Sequence, residues 1–217
     1  MSLPPIIVVS GINQARKGLA EALHRELGKT FHLGKPLKDQ DMVRSISNEI
    51  GRRRTGHNVS ASLLMGCLLH YAETVLAKNA SPSNPYILNR WCESIRAQHL
   101  DLPGKLTGQS LDEDMLDAFN STVRMIEKHI DTKNILYLYA QVDPESIHSS
   151  EPPGQFDEYG NRVFWSRRAN EQRMVIQSLE DYFTRIRARS PSRVKIFNGQ
   201  KPIEGLAKDM AAVVRCA

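Results

Sequence analysis

The opening of the chain constrains it most. Ile6 to Val9 is a short, uninterrupted apolar run rich in β-branched residues, bounded by Pro5 and Gly11. A run of that length and composition reads as a strand buried on both faces. Over residues 17–28, Leu19, Ala20, Leu23 and Leu27 then recur at helical spacing, with Gly28 placed as a C-terminal stop. The chain therefore begins strand, glycine-containing turn, helix. A strand buried on both faces needs a helical layer on each side, and that arrangement belongs to parallel sheets.

The rest of the sequence repeats the alternation. Strands are expected at Tyr86 to Leu88, Ile135 to Val142 and Val194 to Phe197. Helices are expected over 40–51, with Met42, Val43, Ile46 and Ile50 on one face, and over 59–78, with Leu63, Leu64, Leu68, Leu69, Ala72, Val75 and Leu76. Further helices are expected over 111–130, 167–189 and 203–214. The Pro- and Ser-rich stretch 79–85 reads as a loop, as does the polar stretch 149–160. With no internal repeat and no linker, the expectation is one α/β domain over 1–217. Its three layers are a parallel sheet and helices on both faces. Ligand sites in such sheets follow the carboxyl ends of the strands.

Composition excludes several classes. The 217 residues are 41% hydrophobic and 24% charged, ordinary for a soluble globular protein. No apolar run approaches the roughly 20 residues of a membrane helix, and the N-terminus has no charged segment of the signal-peptide kind. An intracellular, reducing compartment, such as the cytoplasm, is expected. Cys67, Cys92 and Cys216 are scattered, without metal-ligand spacing, and read as two buried thiols and one tail thiol. The net charge of +5 permits phosphate binding but gives no strong nucleic-acid signal. Arg52, Arg53 and Arg54 read either as a phosphate clamp or as a solvated helix end. The seven histidines include no metal-hydrolase arrangement, so no protein metal site is expected. There is no Gly-x-Ser-x-Gly elbow.

The turn after the first strand reads Gly11-Ile12-Asn13-Gln14-Ala15-Arg16-Lys17-Gly18. Against the phosphate-binding pattern G-x-x-x-x-G-K-[ST], Gly11 and Lys17 fit. Arg16 stands where the second glycine would be, and Gly18 where the hydroxyl residue would be. In such loops, backbone N–H groups and the helix N-terminus hold phosphate oxygens. The lysine neutralises phosphoryl charge, and the hydroxyl ligates Mg²⁺. Gly18 has no side chain for that last task.

The segment Ile6 to Leu27 resembles the opening of thymidylate kinases. Asn89-Arg90-Trp91, with Ser94 three residues beyond the aromatic, resembles that family's Asp-Arg-Tyr/His segment. The strand ending in Val142-Asp143-Pro144-Glu145 is similar to its third strand and continuation. Asp157 to Phe164, leading to Arg167 and Arg168, resembles its lid and the following helix. Asn198 to Ile203 is similar to its closing adenine-side loop.

The resemblance implies a lid over about 149–168, ATP as donor and a nucleoside monophosphate, by default dTMP, as acceptor. It implies Lys17 on donor phosphates, Arg90 on the acceptor phosphate, and Arg16 or a lid arginine on the transferring group. Gly11, Asn13, Gln14, Gly18, Arg162, Arg168 and Asn198 would contact nucleotide. It also implies a homodimer packed through the 59–78 helix. Asn89 replaces the family aspartate near the phosphate and metal. Leu69 and Met65 stand at the base-reading arginine and base-stacking aromatic. With Gly18, these departures put Mg²⁺ use and ordinary dTMP kinase activity in doubt. Two expectations therefore stand side by side. One is phosphoryl transfer from a nucleoside triphosphate to a monophosphate. The other is a catalytically inactive module that senses nucleotide or binds a protein partner.

Overall fold

The computed structural model describes residues 3–11, 18–36, 45, 57–89, 91–108, 112–130, 135–147 and 169–216. Its centre is a five-stranded sheet, β1 (Ile6–Gly11), β2 (His32–Gly34), β3 (Tyr86–Asn89), β4 (Ile135–Gln141) and β5 (Val194–Asn198). All pairings are parallel, in the order β2-β3-β1-β4-β5. The four expected strands are present. The three-residue β2 was not expected.

Alternate residues of each strand serve two separate cores, as the period of two requires. On one face Ile7, Val9, Ile87, Leu136, Leu138 and Ala140 pack against α1 (Leu19–Leu27) and α6 (Ile203–Cys216). On the other, Ile6, Val8, Leu88, Ile135, Tyr137 and Tyr139 meet three helical elements. These are α2, α3 and α5. Helix α2 is His57–Tyr71, continued by a π-helical turn Ala72–Leu76 and a last turn Ala77–Asn79. Helix α3 joins Cys92–Ile95, a π-helical segment Arg96–Asp101 and Leu102–Thr107. Helix α5 is Ala169–Arg189, and α4 (Glu113–His129) packs against α2. The expected helix over 40–51 lies, but for residue 45, outside the described residues.

Local chemistry sets the helix ends. The Asp112 side chain accepts from Met115 N at the start of α4, and Glu113 and Asp114 follow in the first turn. Gly28 ends α1, its N–H donating to His24 O. Arg215 of α6 donates to Glu26 O at 2.6 Å, placing a cation at the negative end of α1. In α3, Arg96 Nε lies 3.5 Å from Asp101 Oδ1. Residues five apart lie about 140° apart around a regular α-helix. The wider π-helical turn brings the pair to one side.

The stretch Asn58–Asn79 has 22 residues, and its most apolar 18-residue window has a mean hydropathy of 1.4, so by length and composition it would pass for a membrane span. That departs from the sequence expectation. Half of its most apolar window is buried inside this fold, as for a core helix. Cys67 and Cys92 are buried free thiols, and Cys216 is an exposed one.

Phe183 of α5 ties β4 to this layer. It stacks on Tyr139 with ring centroids 4.6 Å apart and meets Tyr137 edge-on at 5.7 Å. Burial pushes the Tyr137 and Tyr139 hydroxyls above their ordinary values, so both stay neutral. Truncating Phe183 to alanine should cost about 3–5 kcal/mol in urea unfolding. A loss below about 1 kcal/mol would show that the ring does not anchor the layer.

Candidate functional site

Neighbouring strands β1 and β3 hand the chain to helices on opposite faces, β1 to α1 and β3 to α3. Parallel sheets take ligands at such a divergence, beyond the carboxyl ends of the strands. The site is assembled from the residues that end the strands.

Gly11 ends β1 with φ 154°, and a Cβ there would lie 2.9 Å from Ala140 O on β4. The close approach of two backbones excludes any side chain. Gly18 caps α1 from the left-handed region, with φ 81°. A Cβ there would meet nothing within 4 Å, so the requirement is conformational, not spatial. The first bond of α1 is Ala22 N to Gly18 O at 2.8 Å. The N–H groups of Leu19, Ala20 and Glu21 precede it and belong to the donor set of a helix N-terminus. Glu21, in this first turn, pairs through Oε1 with Lys35 at 3.3 Å, just past β2.

Asn89 ends β3 in register with Val9. Its Oδ1 is buried and has no hydrogen-bond partner among the described residues. Ser10, which the sequence reading did not single out, is fully buried, and its Oγ is likewise unpartnered. The available signal was a polar residue in the last inward position of an apolar strand. Val9 belongs to the α1–α6 core, and Asn89 shares its face. Ser10, paired with Tyr139, lies on the other.

Across the sheet, Gly199 N donates to Gln141 O at 2.6 Å, fixing the turn after β5 to the end of β4. Gln141 Nε2 donates to Glu180 Oε1 at 2.9 Å. The Asn198 side chain accepts from Gln200 N at 3.0 Å, so its amide oxygen shapes this turn. Asp143 caps the short turn Pro144–Ser146 by accepting from Glu145 N, as its sequence context suggested. Arg173 of α5 is held by the backbone after β4. Its guanidinium donates to Pro144 O, Ile147 O and Asn170 Oδ1, binding α5 to the segment after β4.

Met65 and Leu69 are absorbed into the core. Met65 is 2% exposed, and Leu69 packs against the same cluster. Asn13, Gln14, Arg16, Lys17, Arg90, Arg162 and Arg168, with the whole 149–168 segment, lie outside the described residues. Gly11 and Asn89 thus end neighbouring strands, Ser10 precedes Gly11, Asn198 ends β5 at the same edge, and Gly18 begins α1.

Phosphoryl-transfer enzymes with such loops hold Mg²⁺ through a loop hydroxyl and a nearby carboxylate. Gly18 offers no side chain, and Asn89 offers a neutral amide. Asp143 Oδ1 is engaged in its cap, and the unpartnered oxygens of Ser10 and Asn89 lie on opposite faces of the sheet. No group of three or more His, Cys, Asp or Glu stands together among the described residues. Gly18 and Asn89 thus do not supply the carboxylate that Mg²⁺ prefers, and the carboxylate in the first turn of α1 is Glu21, whose buried Oε2 has no partner among the described residues.

No protein-family model matches the chain, and no curated protein does. Solved structures do. A thymidylate kinase from Candida albicans, described for its broad substrate specificity, is 15% identical. The match covers 100% of this chain and 93% of that one, with a TM-score of 0.67. A thymidylate kinase from Ehrlichia chaffeensis is 14% identical over 97% of each chain, with a TM-score of 0.60. The chain has the thymidylate-kinase fold. That fold is a form of the P-loop NTP hydrolase architecture, and the likeness to both kinases extends over nearly the whole length of this chain. At such low identity the shared property is the fold itself.

Within the thymidylate-kinase fold, the left-handed cap at Gly18 makes a direct prediction. Gly18→Ser should destabilise the protein by about 1–2 kcal/mol, since a side chain is disfavoured at that φ. Gly11→Ala should cost more, because the clash with Ala140 adds to the backbone term. Chemical unfolding of the two variants measures both. A Gly18→Ser protein as stable as the parent would rule out a required left-handed cap.

Proposed function

We propose that this chain binds nucleotides at the carboxyl edge of its sheet and transfers phosphoryl from a nucleoside triphosphate to a nucleoside monophosphate, slowly. The observation that carries this reading is Gly11. It is held where no side chain fits, at the turn that leads from the central strand to the N-terminus of α1. Lys17, Arg16 and Gly18 belong to that turn, and Asn89 and Arg90 follow β3. In this reading Gly11, Asn13, Gln14 and Gly18 cradle donor phosphates through backbone N–H groups, and Lys17 neutralises them. Arg90 takes the acceptor phosphate. Arg16, Arg162 and Arg168 offset the charge that develops during transfer. ATP is the donor and dTMP the default acceptor. The turn at Asn198 receives the donor base through its backbone, its side-chain oxygen being engaged by Gln200 N.

Asn89 and Gly18 favour a second reading, a nucleotide sensor or interaction module without catalysis. A neutral amide and a missing hydroxyl weaken the two groups such sites use to manage phosphoryl charge. Both readings place the protein in a reducing intracellular compartment, which suits its three free thiols.

The proposal extends to a homodimer through α2. This helix has no Asp, Glu, Lys or Arg before Glu73. Val59 is 53% and Leu63 41% exposed on the side away from the sheet. Exposed Gly66 follows on the same stripe, and a Cβ there would meet nothing within the chain. A mid-helix glycine costs about 1 kcal/mol relative to alanine and gains nothing inside one subunit. A second helix approaching closely would use the room.

Two measurements test these statements. Product formation from ATP and a panel of nucleoside monophosphates should show slow transfer to dTMP, reduced by about 100-fold or more in Lys17→Ala. Nucleotide-dependent stabilisation with no transfer to any acceptor would select the second reading, and no stabilisation would remove both. In sedimentation velocity the parent should run as a dimer and Leu63→Asp as a monomer. A monomeric parent would remove the dimer.

A further inference from the structure

We infer that Glu21 and Asn89 hold the divalent cation of a bound nucleotide through its water shell, as acceptors for metal-bound water and not as ligands of the metal. The inference rests on the nucleotide reading above and adds how the cation that accompanies the phosphates is met.

Glu21 stands in the first turn of α1, the end of the helix that takes phosphate in this reading. Its Oε1 pairs with Lys35 Nζ at 3.3 Å. Gly34 of β2 pairs with Leu88 of β3, and Lys35 and Asn89 directly follow them. Asn89 shares the face of Val9, whose side chain lies in the α1–α6 core. The first turn of α1 and the ends of β2 and β3 thus meet at one corner. There Glu21 Oε2 and Asn89 Oδ1 are buried, and neither has a hydrogen-bond partner among the described residues. A buried acceptor without a donor costs free energy. A ligand that brings donors to this corner removes that cost.

The chemistry of the corner selects its ligand. Both oxygens are acceptors, so an ionised phosphate, itself an acceptor, gains no hydrogen bond from them. The charge of Glu21 repels a phosphate and attracts a cation. Direct coordination is poorly served, because the Lys35 ammonium offsets the Glu21 carboxylate and Asn89 offers a neutral amide. Mg²⁺ dehydrates reluctantly and usually keeps several waters. Those waters are donors, and hydrogen bonds to an ionised carboxylate are the stronger ones. Glu21 Oε2 and Asn89 Oδ1 match them. Lys35 is a positioning residue here: it holds Oε1 and leaves Oε2 to the interior.

The experiment is calorimetric titration of the full chain with three forms of ATP: the Mg²⁺ complex, metal-free ATP in EDTA, and the exchange-inert tetraammine cobalt(III) complex. In the last, the ammonia ligands donate hydrogen bonds as water does, and no protein atom can replace them. The parent should bind the Mg²⁺ and cobalt complexes within about threefold of each other, and metal-free ATP about tenfold more weakly. Glu21→Gln removes the charge and keeps the shape, so the preference for the Mg²⁺ complex should fall to about twofold. A cobalt complex bound about tenfold more weakly than the Mg²⁺ complex would show direct ligation and overturn the inference. Equal binding of the Mg²⁺ complex and metal-free ATP by the parent would also overturn it, as would an unchanged preference in Glu21→Gln. Each of these outcomes leaves the nucleotide reading standing. No binding of any form would overturn the inference and the nucleotide reading together. The three forms compared on the parent are decisive even if Glu21→Gln does not fold.

Discussion

The central strand is held by parallel pairing on both sides, and every residue from Ile6 to Gly11 is buried. Each side chain has one of two destinations. Ile7 and Val9 go to the layer of α1 and α6, and Ile6 and Val8 to that of α2, α3 and α5. A shift of one residue would exchange the two sets and leave Ser10 facing the α1–α6 core. The register is thereby fixed twice. Fixing it places Gly11 against Ala140 and Asn89 beside Val9. The geometry of the candidate site is a consequence of how the core packs.

That dependence explains why the layout of the site persists where its chemical groups differ. Gly11 and Gly18 are backbone requirements, enforced by a carbonyl 2.9 Å away in one case and a left-handed cap in the other. Changing either costs folding free energy. Asn89 differs from aspartate by one atom and a charge, and the packing around β3 accepts either shape. The shape of the crevice and its charge are therefore free to vary independently. Here β1 ends in a hydroxyl and a glycine, Ser10 and Gly11, and β3 in the amide of Asn89.

Much of the fold is legible in the sequence because its signals are periodic. The apolar runs at Ile6, Tyr86, Ile135 and Val194, and the heptad-like spacing from Met174 to Ile186, each name one element and its buried side. The strand His32–Gly34 escaped because three residues ending in glycine carry no period. Helix α3 escaped because Trp91 to Ser94 drew attention as a motif, and Pro103-Gly104 reads as a break. The π-helical turns have no pattern of their own, and the five-residue step from Arg96 to Asp101 becomes meaningful only once the turn is seen. At the site, Gly11 and Asn89 were readable because neighbours in sequence flag them. Ser10 was not, since its meaning lies in a lack of partners. The role of Arg173 was illegible for the opposite reason. Its partners are carbonyls 26 and 29 residues away in the chain, invisible to local pattern.

Helix α2 joins the two halves of the proposal. Met65, Leu68 and Tyr71 on one side are buried in the core that carries Val8 and Leu88. Val59 and Leu63 on the other are exposed. A helix apolar all round is ordinarily buried all round, so one subunit satisfies only half of this pattern. Covering the stripe with a second copy would remove apolar area from water at about 25 cal/mol per Å². It would also restrain a helix whose inner side shares a core with the strands that end in Gly11 and Asn89. Met65 and Leu69, lacking hydrogen-bonding groups and committed to the core, leave α2 as a structural wall at those two positions. Recognition of an acceptor base would then fall to other groups around the crevice, and α2 would contribute by its position.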